Sequence, residues 1–114
     1  LRLRRGLGAL ALVICAGPLA AGQKTYAGEE AAALRCANTL AFTAVALESS
    51  GGIGQLEKDV MLDITVRILV DHVSGTWRQK KAALRIVRDR RDVIETLDDF
   101  RRYANQCLVQ FPIN

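Results

Sequence analysis

The sequence predicts an all-α protein: a small disulfide-stapled helical bundle of three to four helices in up-down order. Three observations carry this. Alanine and leucine abound while Phe, Trp and Tyr make up 5% of the 114 residues, a balance that favours helix over sheet. The only prolines are Pro18 and Pro112, so the middle of the chain holds no strong helix breaker. Two cysteines, Cys36 and Cys107, remain once Cys15 is assigned to an export signal. Half the residues are apolar and a quarter charged, as in folded globular chains, and the length allows one domain at most.

Residues 1–22 read as a cleaved secretory signal. Arg2, Arg4 and Arg5 precede an uncharged apolar core from Leu7 to Ala16, followed by Gly17, Pro18 and small residues. Cleavage after Gly22 leaves Ala20 and Gly22 at the small-residue positions; cleavage after Ala27 is the alternative. The core is about half the roughly 20 apolar residues that a spanning helix needs. A lipoprotein site at Cys15 is disfavoured by Ile14 directly before it. Removing the signal takes three of sixteen basic residues and none of the twelve acidic ones, so the formal charge drops from +4 to +1. The basicity that hinted at an anionic partner is mostly the export tag. A periplasmic or secreted location follows, and it argues against nucleic acid as a partner.

The domain is expected over 28–112. Helix 1 is read from Gly28 to Glu48, with Glu29 and Glu30 at the positive end of its dipole. Its run "AAALRCANTLAFTAVAL" is crowded with alanine, so another helix can approach closely. "SSGGIG" breaks the chain at 49–54. Helix 2 is read from Gln55 to Val73, with one apolar stripe on Ile53, Leu56, Val60, Met61, Ile64 and Ile68. Leu62, Val66, Leu69, Val70 and Val73 form a second stripe. A helix sticky on two faces should lie at the centre of the bundle. "SGT" at 74–76 then turns the chain.

From Trp77 to Phe111 there is neither Gly nor Pro, and the apolar residues fall on one arc. That reads as a single helix about 50 Å long. Against it, "DVIE" at 92–95 resembles a capping box, with Asp92 capping and Glu95 reaching back. A Cys36–Cys107 disulfide bears on the choice. With helix 3 unbroken and parallel to helix 1, the two cysteines would stand roughly 35 Å apart, whereas bridged Cα atoms lie within about 7 Å. Either the chain turns near Arg90–Asp92 and a fourth helix returns, or helices 1 and 2 lie end to end along a long helix 3. The second form exposes apolar surface and should form a homodimer. The turn is favoured; the weak turn chemistry of "RDRRD" keeps the long helix open.

The stretch "RQKKAALRIVRDRR", 78–91, supplies the candidate interaction surface: Arg78, Lys80, Lys81, Arg85, Arg88 and Arg91. In a hairpin turning at Gly75, Asp71, Asp63 and Asp59 would face these bases and partly neutralise them. The remaining charge suits an acidic protein partner or an anionic membrane surface. No aromatic residues interleave the bases as a nucleic-acid stacking platform requires. Arg90 and Arg101 fall within the apolar arc of a continuous helix, where Glu48 or Glu57 would have to pair with them; a break that shifts the helical phase removes the problem.

No pattern points to catalysis, a cofactor or a metal. His72 is the only histidine, poor material for a zinc site and read as a helix C-terminal residue. Ser49, Ser50 and Ser74 lack a nucleophile elbow. Glu29/Glu30 and Asp98/Asp99 are adjacent in sequence and diverge on a helix. "SSGGIG" lacks the GK[ST] that completes a phosphate loop. The expected function is therefore that of an exported binding or accessory protein with an unknown protein partner. Two alternatives are a peripheral binder of anionic membrane through 78–91 and an acid-activated stress chaperone. The architecture is similar in outline to small periplasmic acid-stress chaperones, a resemblance of fold and not of motif.

Overall fold

A computed structural model describes residues 23–114; residues 1–22, with the expected signal and Cys15, lie outside the described residues. Four helices follow in order: α1 (Gly28–Ser49), α2 (Gln55–His72), α3 (Trp77–Asp89) and α4 (Val93–Gln110). The described residues contain no strand.

Three sets of contacts define the order up-down-up-down. Lys58 at the start of α2 pairs with Glu48 at the end of α1, 3.1 Å away, while Ser74 beyond α2 meets Glu30 at the start of α1. Helix α3 therefore starts beside the beginning of α1 and climbs along it. Helix α4 descends, bringing Cys107 to Cys36 with their Cα atoms 5.7 Å apart. The disulfide closes a loop of 71 residues, for which the chain-entropy model gives roughly 4 kcal/mol.

The long helix 3 is not formed. Helix α3 stops at Asp89, and Asp92 opens α4 with a full capping box. The Glu95 N–H donates to the Asp92 carboxylate at 2.7 Å, and the Asp92 N–H donates to Glu95 Oε1 at 3.1 Å. The Thr96 hydroxyl donates to the Asp92 carbonyl, 2.8 Å away. Arg91 braces the corner from outside, its guanidinium holding both oxygens of Asp99 at 2.8 and 2.9 Å. Local polar contacts thus supply the turn that "RDRRD" lacks in Gly or Pro. Arg90 is exposed in this turn, and Arg101 is exposed beside Asp98; neither reaches Glu48 or Glu57.

A second capping box, Thr76 with Gln79, opens α3. The residue before it, Gly75, has φ +99°, and a Cβ there would lie 2.7 Å from both Gln79 Oε1 and the Tyr26 hydroxyl oxygen. Only glycine fits.

Helix α1, not α2, is the central element: it packs against each of the other three. Ala33, Ala37 and Ala44 are completely buried on it, and their small side chains let neighbours close in from several directions. Helix α2 divides differently from the expected two stripes. Its core-facing arc lies between them, on Thr65, Ile68 and Leu69. Two residues of each stripe, Leu56 and Val60 on one and Val66 and Val70 on the other, are left exposed. Among the described residues no further helix remains to cover both sides of α2.

The core joins Leu34, Cys36 and Leu40 of α1 to Ile68 and Leu69 of α2, with Ala83 of α3 and Phe111 behind α4. The Phe111 and His72 rings meet in a T-shaped arrangement, centroids 5.4 Å apart, and His72 Nε2 lies 2.6 Å from the Pro112 carbonyl. His72 thus ends α2 and anchors the chain after α4.

Candidate functional site

Helix α3 is amphipathic, and its basic residues divide between its two sides. Arg78, Lys81, Arg85 and Arg88 are spaced by three, four and three residues, which sets them in one row along the exposed side. Ala83, Leu84 and Val87 face the core cluster, and Lys80 shares their side.

Lys80 therefore does not belong to the expected surface. It is 9% exposed, and its Nζ donates to the Leu69 carbonyl at 2.9 Å. Its four methylenes pack inward while its charge meets a backbone dipole at the α2–α3 junction. Arg91 is also spent elsewhere, on Asp99 and Glu95 at the corner.

The expected neutralisation by α2 does not occur. Asp63 pairs with Arg67 on its own helix, and among the described residues Asp59, Asp63 and Asp71 form no ion pair with α3. Helices α2 and α3 lie along different sides of α1 and meet only near their shared turn. The facing expected of a hairpin turning at Gly75 thus holds only at that end. Arg88 has Asp89 beside it at 3.2 Å, while Lys81 and Arg85 have no acidic partner within 4.0 Å among the described residues.

The row borders an open groove of about 630 Å³ between α1 and α3. Phe42, Val45 and Ala46 of α1 and Leu84 of α3 make its apolar floor, Val93 closes one end, and Lys81, Arg85 and Arg88 form one rim. Helix α1 contributes no acid here, because it has none between Glu30 and Glu48. The alanine-rich wall that lets helices approach also leaves the cations unneutralised. A second groove of about 460 Å³ lies between α1 and α4 beside the disulfide, with Arg35, Arg91 and Asp99 giving it mixed charge.

At the opposite end of α3, Ser74 gathers the start of the described chain. Its N–H donates to Glu30 at 2.6 Å, its carbonyl accepts from the Tyr26 hydroxyl at 2.7 Å, and its hydroxyl accepts from Lys24 Nζ at 2.7 Å. The Ser74 hydroxyl and then its N–H, with the charges of Lys24 and Lys80, hold the Glu30 carboxyl below its ordinary value of 4.5. Burial, and then the Glu30 charge, push the Tyr26 phenol above 10.0. All three polar groups of Ser74 are engaged, which suits a structural tie.

No three or more His, Cys, Asp or Glu side chains among the described residues are grouped to hold a metal ion. No helix among them is long and apolar enough to cross a membrane. Compared with known proteins, the chain matches no family model, no curated protein and no solved structure.

One feature of the groove escapes sequence reasoning and another is carried by it. The α1 wall was readable only as a generic helix-packing face, because nothing local says which part of it stays uncovered. The division of Lys80 from Lys81 follows from helical phase. The 3.6-residue period carries it, since Lys80 lies off the row that Arg78, Lys81, Arg85 and Arg88 make.

Proposed function

We propose that this is a small exported helical protein that acts by binding a protein partner, without catalysis, through the groove between α1 and α3. The observation that carries the reading is the cationic rim, Lys81, Arg85 and Arg88, running beside an apolar floor with no acid opposite. Cations spread over two turns, roughly 10 Å, match a row of carboxylates at helical spacing. A fatty acid would present its charge at one end only. The preferred occupant is thus an acidic amphipathic helix of a partner, its apolar stripe on Phe42 and Val45 and its acids along α3. The cystine suits an oxidising compartment, and export delivers the chain to one.

A labelled helical peptide with leucines at i, i+4 and i+7 flanked by glutamates is the probe. It should bind the oxidised protein with an affinity that falls as salt rises, and Arg85→Glu with Arg88→Glu should weaken binding at least tenfold. Equal binding by the charge-reversed protein, or by a scrambled peptide of the same composition, would sink the reading. Binding of phosphatidylglycerol vesicles that removes the peptide preference would transfer the role of 78–91 to a membrane surface.

A further inference from the structure

The exposed side of α2 carries a regularly spaced row of residues, unconnected with the groove. Leu56, Val60, Asp63, Arg67 and Val70 are spaced by four, three, four and three residues. That is the a/d seam of a coiled coil over two heptads, and it lies on the side of α2 facing away from α1. Leu56 is 75% exposed, Val60 53% and Val70 60%. At the centre of the seam Arg67 Nε meets Asp63 at 3.0 Å, and another nitrogen of Arg67 donates to the Asn114 carbonyl at the edge.

We propose that α2 pairs with α2 of a second copy, antiparallel, about a twofold axis level with residue 65. The charges decide the direction. In an antiparallel pair, facing residues have numbers that sum to 130, so Val60 meets Val70 and Asp63 meets Arg67 across the axis, in both directions. Each of these layers joins an a position to a d position, as antiparallel coiled coils require; Leu56 would face position 74, beyond the end of α2, and lies outside the paired layers. A parallel pair would set Asp63 against Asp63 and Arg67 against Arg67. The face is self-complementary in shape period and in charge, which is what an isologous contact needs. A membrane surface or an unrelated helix would have no use for an acid and a base placed symmetrically in the middle of the stripe. The central pair costs association strength but excludes other registers.

The test is sedimentation of the oxidised chain over micromolar to millimolar concentration. A monomer–dimer equilibrium is expected. Val60→Glu, at an exposed position, should keep the helical circular dichroism and weaken dimerisation at least tenfold. Asp63→Arg should weaken it as well, and Asp63→Arg combined with Arg67→Asp should restore it, since the swap recreates both cross-axis pairs. Arg85→Glu in the groove should leave it unchanged. A monomer throughout the range overturns the proposal. So does a dimer indifferent to Val60→Glu, or a double swap that fails to recover association.

Discussion

Lys80 and Leu69 are joined across the α2–α3 junction by a hydrogen bond of 2.9 Å from the ammonium to the backbone carbonyl, buried in the bundle. One residue further on, Lys81 points to solvent at the rim of the groove. Neighbouring lysines of one basic run therefore have opposite duties. Lys80→Glu places a carboxylate against a carbonyl in a buried site and should cost about 2–4 kcal/mol of stability. Arg85→Glu, fully on the surface, should change stability by about 0.5 kcal/mol or less. Urea unfolding of the two variants makes the comparison; similar losses would mean that the run is one uniform face.

Glu30 and Tyr26 give the fold two pH limits. The folded state lowers the Glu30 carboxyl, so its contribution is complete above pH 4.5 and is lost as pH falls through the lower folded value. Tyr26 is raised, so its contribution holds below pH 10.0 and is lost as pH rises through the higher folded value. Glu30→Gln should flatten the acid limb of a stability–pH curve and, by removing the charge that helps to raise Tyr26, also shrink the alkaline limb in part; Tyr26→Phe should flatten the alkaline limb and leave the acid limb in place. An acid limb unchanged by Glu30→Gln would place the acid sensitivity elsewhere.

Thr43 lies on α1 at 1% exposure, and its hydroxyl has no hydrogen-bond partner among the described residues. Valine has nearly the same shape and no polar atom to desolvate. Thr43→Val should therefore stabilise the protein by about 1 kcal/mol, read as a higher urea midpoint with an unchanged slope. A loss of similar size would show that the hydroxyl is satisfied in solution.

Opening Cys36–Cys107 should remove about 2–5 kcal/mol. For a domain of this size that corresponds to a fall in Tm of more than about 10 °C on adding reductant. Cys36→Ser with Cys107→Ser should match the reduced protein. A reduced protein that melts at the oxidised temperature would make the bond incidental to stability.

Much of the architecture was legible because its determinants are local or covalent. Asp92 and Glu95 specify a helix start by themselves, and the distance a Cys36–Cys107 bond can span made a single long helix costly. Thr76 and Gln79 carry the same capping pattern and were as readable. The identity of the central helix was not. It depends on how three helices share the alanine face of α1, and the periodicity of α2 gives no information about that. The α1–α3 groove is likewise a product of packing: Phe42 and Val45 are 40 or so residues from the cations they sit beside, and no local pattern links them.

The cystine also governs how the protein responds to tension. A pull on Gln23 and Asn114 passes from Cys36 directly to Cys107, so the loop between them carries no load while the bond is intact. Only about 20 residues outside the loop can extend, roughly 70 Å of chain at 3.4 Å per residue. Reduction would raise the total between the same ends to roughly 310 Å. Oxidised, the part of the chain that holds the groove and the α2 seam is mechanically silent.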